Sequence, residues 1–448
     1  MVIHRAKRRQ SNLLPKTPGR EKAISPFFFF VDLATGSCLY TRVRTADKRV
    51  LSQATTTVNQ PRLLQVSTEP VLYLGGVGKI VQWLIRDFST QYRISLAAPD
   101  AAAAMPDDLG RCLENRISIP RGKWDRESKR GFLKQIEAGQ YDLIHFHGGT
   151  FSFDAHLPWR SPLHPLCLAR VPWITSNHCA PSLTAGLFPP GYPRPAKALK
   201  AALAWSSKCF LLACCRQEVF DSLENQSQIG KWFPWAGAKL NTIYHSDLEG
   251  TPPAPMVSRE VVTIGNLGHI ASRKGQQDLL TAFVLVLRKY PHLRLVLAGP
   301  DGSDDCSRWV RNEISRLKLE ASVELPGGLS DKTGFWKAVD IYVQPSHFEG
   351  APMALMEALW LGKPSIGTRV SGIPEIIQHD VSGLLVEPGK PAEMAEAIER
   401  LIIEPDTRRR FSENGAARIL AQGMTRKQMS QKYADLYTRV LAGNRLPR

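Results

Sequence analysis

Two carboxylates stand eight positions apart in PSHFEGAPMALMEALWLGKP, Glu349 ahead of Pro352 and Glu357 beyond it. DIYVQPS before them reads as a strand end and 347–351 as a turn, and Pro352 suits a helix start. Gly362-Lys363-Pro364 stops that helix after Leu361. Glu349 then lies in the turn, and Glu357 lies in the second helical turn, about 7.5 Å along the axis from Pro352. Met353 and Glu357 share one helix face. The first N–H groups of the helix, those of Met353 and Ala354, form an anion site. A phosphate held there would have a hydroxyl-binding carboxylate on either side. A nucleoside diphosphate sugar, with hydroxyls at both ends and charge in the middle, matches that layout.

Three other segments carry candidate chemistry. GHIASRKGQQDLL (268–280) follows a strand and precedes a helix, and it places Arg273 and Lys274 beside Gly275, where cations would neutralise a diphosphate. The Gly75-Gly76-Val77-Gly78 turn opens another helix and gives backbone close access to phosphate. His178 ends the strand-like VPWITSNH, and His145 and His147 share one face of YDLIHFHG. No carboxylate or cysteine at ligand spacing accompanies these histidines, and the chain contains no D-x-D. Metal-independent chemistry without a cofactor is the expectation.

The elements that must hold these residues form two series of short apolar strands alternating with helices. The first contains RLLQVS (62–67), YRISLAAP (92–99), YDLIHFHG (141–148), VPWITSNH (171–178) and KCFLLACC (208–215). The second contains VVTIGNLG (261–268), LRLVLAG (293–299), SVELPG (322–327), DIYVQPS (340–346) and KPSIGT (363–368). Such alternation predicts an α/β fold with parallel sheets covered on both faces. We therefore expect a leader at 1–60, a first Rossmann-like domain at 61–246, a proline-rich linker at 247–260, a second Rossmann-like domain at 261–420, and a C-terminal helix at 421–448 packed back on the first domain. The site would lie in the cleft between the domains, at the carboxyl ends of the strands.

The net charge is +17, and residues 1–60 supply +8 of it from eleven Lys/Arg against three acids. Such a balance points to anionic partners. RISIPRGKWDRESKRGFLK (116–134) has seven Lys/Arg with Trp124, Phe132 and Leu133 interleaved, and PAKALKAALAWSSK (195–208) is a second basic stretch. Together they suggest a surface for anionic lipid on the inner face of a membrane, with the chain peripheral and cytoplasmic. The eight cysteines include no C-x-x-C pair and read as free thiols. Nucleic acid is a weaker partner for this charge, because no RNP-like strand, zinc pattern or recognition helix accompanies it.

The stretch from Asp340 to Gly389, with its E-x7-E spacing, SGIPEII (371–377) and SGLLVEPG (382–389), resembles the group 1, retaining glycosyltransferases of GT-B architecture. The similarity extends over roughly 62–440 and is firmer in the second half. It implies two Rossmann-like domains facing a central cleft and a nucleotide-sugar donor. The acceptor would be lipid-linked or a polysaccharide, as in cell-surface glycan biosynthesis, and the anomeric configuration would be retained. By the same resemblance Glu349 would contact the donor sugar, Glu357 the ribose hydroxyls, and His178 the donor sugar from the first domain. Gly75 and Gly76 match the family's glycine loop. Lys274 matches its phosphate lysine, but His269 stands where the family carries arginine. An epimerase or phosphorylase of the same architecture is the alternative among enzymes.

Overall fold

The computed structural model describes residues 60–443 apart from 73–74, 122–123, 149–169, 179–193, 255–259, 262 and 303, together with two short strands near the N-terminus. Residues 1–59 and 60–448 are separate compact units. In the first, β1 (Phe30–Val31) pairs antiparallel with β2 (Cys38–Leu39). The rest of the expected leader lies outside the described residues, as do Lys123, part of the linker, and the side chains at 194–201, 203 and 204.

The second unit holds two sheets whose strand pairings, among the described residues, are all parallel. The first comprises β3 (Arg62–Ser67), β4 (Arg93–Ala98), β5 (Leu113–Ser118), β6 (Leu143–His147), β7 (Trp173–Asn177), β8 (Gln217–Phe220) and β9 (Leu240–Thr242), in the order β5-β4-β3-β6-β7-β8-β9. The second comprises β10 (Thr263–Leu267), β11 (Arg294–Ala298), β12 (Val323–Gly327), β13 (Ile341–Gln344), β14 (Ser365–Thr368) and β15 (Leu384–Val386), in the order β12-β11-β10-β13-β14-β15. In each sheet the first strand sits centrally and the chain winds outward in both directions from it. This creates a switch point, between β3 and β6 in one sheet and between β10 and β13 in the other, where a crevice opens at the carboxyl ends. The Arg426–Gly443 helix returns to the first sheet, where Met429, Tyr433, Leu436, Tyr437 and Val440 join its core.

One expected strand is a helix. KCFLLACC forms the end of the Arg194–Cys214 helix, and the strand of this unit is the following QEVF of β8. An unbroken apolar run fits a buried strand or a buried helix equally well. Tertiary packing decides it here, because Ser207, Lys208, Leu211, Leu212 and Cys215 are the buried positions, a spacing of three and four. Cys214, outside that stripe, is half-buried. The basic stretch 116–134 also reads differently in three dimensions. Its start completes β5, and Trp124 and Phe132 are buried together in the core. The aromatic half of the expected lipid-facing surface is therefore interior there.

The helical reading of 208–215 has an electrostatic consequence. Lys208 meets Glu218 of β8 in a fully buried ion pair, and Asn177 Nδ2 donates to the same Glu218 oxygen at 2.7 Å. Burial pushes the Glu218 carboxyl upward and Lys208 opposes it. Removing one partner strands the other in a low-dielectric interior. We predict that Lys208→Met destabilises the fold by about 3–5 kcal/mol, while Lys208→Met with Glu218→Gln recovers most of the loss. Urea denaturation at neutral pH measures both.

Candidate functional site

The cleft between the sheets is assembled from helix beginnings. Gly75 is the N-cap of the Gly76–Phe88 helix after β3, and Pro352 is the N-cap of the Met353–Trp360 helix after β13; neither helix has a side-chain cap. A Cβ added to Gly76 would lie 3.2 Å from Met353 Cε, so the side chain that opens the second helix reaches the start of the first. Their positive ends thus converge on a cavity of about 370 Å³, which Gly76, Met353 and Ala354 line.

Glu349, Lys274 and Arg273 come together through backbone contacts. Gly275 adopts φ +69°, and a Cβ there would sit 2.0 Å from the Pro345 carbonyl oxygen. His347 and Phe348 donate their N–H groups to the Arg273 carbonyl at 2.9 and 3.3 Å. This locks the cationic loop onto the carboxylate turn. Lys274 Nζ donates to both Glu349 oxygens at 2.7 Å, whereas Arg273, more than half exposed, reaches only 3.5 Å. Glu349 is thus paired with Lys274 through both of its oxygens. Glu357 is buried as well. Lys332 is ion-paired with one of its oxygens, and Trp336 Nε1 donates to the other at 3.2 Å. Burial raises the Glu357 carboxyl and Lys332 lowers it. His269 lines the cleft half-buried. Burial first, then Lys274 and Arg273, hold its imidazole below the ordinary histidine value.

On the opposite wall the histidines form a relay. His147 Nε2 donates to Gln65 Oε1 at 2.7 Å, which leaves His147 Nδ1 as acceptor for His178 Nε2 at 3.2 Å. His178 Nδ1 is then an acceptor, and among the described residues it has no hydrogen-bond partner. Burial lowers His178 to about 4. His145 bonds Tyr437 and Ser176, each at 2.7 Å, and His245 bonds Tyr433 at 2.8 Å. His145 is thus held by Tyr437 and Ser176, and His147 by Gln65 and His178. No group of three metal-ligating residues occurs among the described residues.

Asp221, Lys332 and His245 also line the cleft, and sequence reading had not singled them out. Asp221 directly follows β8, a strand displaced by the misread helix, so its position at a carboxyl end was hidden. Its carboxyl lies against Gly350, where a Cβ would fall 1.7 Å from Oδ2, and Asn225 Nδ2 donates to Oδ1 at 2.9 Å. Burial pushes Asp221 up to about 7, and nearby Glu349 adds to the rise. Beside it, Glu375 accepts the N–H groups of Leu223 and Glu224 at 2.9 and 2.8 Å, capping the Leu223–Trp232 helix from the other half of the unit. Gly372 donates its N–H to the Gly350 carbonyl at 3.0 Å and packs on Ser222. These contacts clasp the Glu349 turn to the first sheet.

Residues 258–418 match the family model described as glycosyl transferases group 1. A D-inositol 3-phosphate glycosyltransferase from Saccharomonospora viridis is 29% identical over 204 residues, which are 42% of this chain and 45% of the relative. An N-acetyl-alpha-D-glucosaminyl L-malate synthase from Bacillus anthracis is 30% identical over 168 residues, 38% of this chain and 43% of the relative. The chain thus spans under half the length of these curated relatives. Among solved structures, Anabaena HepE in complex with UDP and glucose superposes with a TM-score of 0.64 at 18% identity, over 84% of this chain and 100% of that one. Sucrose-phosphate synthase from Thermosynechococcus elongatus gives 0.68 at 17%, over 85% and 100%. The shared architecture is GT-B, two parallel sheets with flanking helices.

The clasp makes a prediction of its own. Gly350→Ala must displace the Asp221 carboxyl and should cost about 1–3 kcal/mol of stability. Asp221→Ala removes the obstacle, so the double variant should be less destabilised than the sum of the singles by about 1 kcal/mol. Additive losses in urea denaturation would mean the two residues do not bear on each other.

Proposed function

We infer, from a chain that belongs to the group 1 glycosyl transferases through residues 258–418, that the cleft binds a nucleotide-sugar donor. The sugar then passes, with retention, to a lipid-linked or polysaccharide acceptor. The observation that carries this reading is one cavity lined by the starts of two helices without side-chain caps, at Gly76 and Met353, together with Lys274, Glu349 and Glu357. A diphosphate supplies the negative charge that this arrangement lacks, and hydroxyls on either side of it match the two carboxylates. The same helix ends, with Lys274 and Arg273, stabilise the charge that develops on the diphosphate as the sugar–oxygen bond breaks. In this reading they provide the positive charge without a metal ion.

Donor binding rearranges the resting ion pair. A diphosphate competes for Lys274, and Glu349 is then released to accept hydroxyl hydrogens from the sugar. His178 Nδ1, the terminal acceptor of the relay, is suited to a further sugar hydroxyl. Glu357 already accepts from Lys332 and Trp336 and retains lone pairs for the ribose hydroxyls. UDP and UDP-glucose, bound in the HepE structures, are the first members of the panel of nucleotide sugars to test. Thermal shift reports donor binding through RT ln(1 + [L]/Kd), and slow donor hydrolysis reports the chemistry. A panel that produces neither would remove the reading.

Two predictions divide the roles within the site. Glu357→Ala should weaken nucleoside diphosphate binding by about 1–3 kcal/mol in calorimetry. Glu349→Ala should leave that binding intact or slightly tighter, because Lys274 loses its competitor, yet abolish transfer. Normal nucleotide binding by both variants would contradict the assignment. His269 gives the pH dependence. Its pKa is depressed in the free protein, and a bound diphosphate favours the protonated ring. Affinity should therefore be fullest below the free-protein pKa and decline as pH rises through the higher pKa of the complex. His269→Arg stays charged and should flatten the curve between about pH 6 and 8. Parallel curves for the two proteins would leave the decline to Asp221, whose carboxyl burial raises to about 7, or to the titration of the diphosphate itself.

A further inference from the structure

His145, His147, His178 and His245 belong to one continuous hydrogen-bonded relay, and both of its ends are rings that line the cleft. From His178 it runs to His147 (3.2 Å), Gln65 (2.7 Å), Tyr437 (3.3 Å), His145 (2.7 Å), Ser176 (2.7 Å), Tyr433 (2.8 Å) and His245 (2.8 Å). The members between the two end rings are fully buried. His178 and His245 stand side by side, with ring centroids 4.8 Å apart.

Such a relay has a direction. A neutral imidazole accepts at one nitrogen and donates at the other, and a hydroxyl has a single hydrogen to give. Burial holds all four rings below the ordinary histidine value, so each is neutral at neutral pH. Gln65 sets the direction from the middle, because its carbonyl oxygen accepts from His147 and its amide nitrogen donates to Tyr437. On the carbonyl side His147 and then His178 each donate toward Gln65, which leaves His178 Nδ1 an acceptor. On the amide side Tyr437 gives its own hydrogen to His145 Nδ1, and His145 Nε2 donates to Ser176. Ser176 donates to Tyr433, and Tyr433 to His245 Nε2. Within the relay, any other arrangement leaves a buried hydroxyl hydrogen without an acceptor. His245 Nδ1 therefore carries a hydrogen. Turning the Gln65 amide over reverses every bond, and the two ends again have opposite character.

A hydroxyl group is the complement of such a pair, because it donates and accepts at once. A carboxylate has no hydrogen for the accepting nitrogen, and an ammonium has no lone pair for the N–H. We propose that His245 is a specificity-determining residue which, paired with His178, selects a neutral hydroxyl of the donor sugar at this wall of the cleft. Tyr433 and Gln65 are the positioning residues that keep the two rings opposite in character. This selection rests on the nucleotide-sugar reading of the cleft and adds a preference to it. Sugars with an unmodified hydroxyl here are favoured over those with a carboxylate or an amine in its place.

Ring tautomers test the relay without any donor. In the full chain with isotopically labelled histidine nitrogens, nuclear magnetic resonance should show His178 and His245 as opposite tautomers, one protonated at Nε2 and the other at Nδ1. Tyr433→Phe keeps the ring and removes the hydroxyl, so His245 should lose its single tautomer while His147 and His178 keep theirs. Equal tautomers in wild type, or a His245 tautomer unmoved by Tyr433→Phe, would overturn the proposal. Calorimetry with UDP, UDP-glucose and the single-deoxy analogues of UDP-glucose tests the ligand. His245→Phe should weaken UDP-glucose about two- to ten-fold, the scale of one hydrogen bond, and leave UDP unchanged, which also checks the fold. One deoxy analogue should show the same loss on wild type and no further loss on the variant. Binding of UDP-glucose that His245→Phe leaves unaltered would sink the assignment of His245 alone. Opposed tautomers in a protein that no nucleotide sugar stabilises would remove the donor reading and the sugar hydroxyl together.

Discussion

Glycine backbone meets neighbouring backbone or a buried side chain at positions with no room for a Cβ, and the cleft depends on that closeness. Gly350 lies against the Asp221 carboxyl, Gly372 lies against Gly350 and Ser222, and Gly275 lies against Pro345. At each point even a methyl group would force the neighbouring segment outward. Only at Gly275 does the backbone itself also call for glycine, since its φ is +69°. The polar groups brought together at these approaches are paired with each other. Glu375 caps a helix belonging to the other sheet, and the Arg273 carbonyl receives two N–H groups from the carboxylate turn. Desolvating polar backbone in this way is tolerable only when nearly every donor finds an acceptor.

The cleft is strongly charged yet close to internally compensated. Lys274 offsets Glu349, and Lys332 offsets Glu357. Among the described residues the two helix N-termini have no side-chain cap and leave a local excess of positive potential. The opposite wall works without charge. His145, His147, His178 and His245 are all held neutral by burial, so their hydrogen-bonding directions are fixed by Gln65, Ser176, Tyr433 and Tyr437. Two of those partners stand on the C-terminal helix, which thereby orients rings at the mouth of the cleft. One side of the site thus handles charge and the other presents neutral, directed polar groups.

The cleft mixes cations with carboxylates and helix starts. Among the described residues no helix is long and apolar enough to cross a membrane.

Sequence by itself determined the strand–turn–helix junctions, because these rest on local chemistry: Pro352 opening a helix, Gly362 ending it, and glycines before the Gly76–Phe88 and Gln276–Leu287 helices. From those junctions came the two parallel sheets, the cleft between them, and the placement of Glu349, Glu357, Lys274, His269 and His178 along it. Tertiary structure decided what no local signal encodes. KCFLLAC ends a helix because its buried stripe packs into the apolar core of the first sheet, and Trp124 is interior because β5 and a helix close over it. Asp221 joined the site only when β8 took its true position, and the Lys274–Glu349 pair spans 75 residues of sequence. Local propensity specifies where an element begins and ends. Which face it buries, and which distant charge it meets, follows from packing against the rest of the fold.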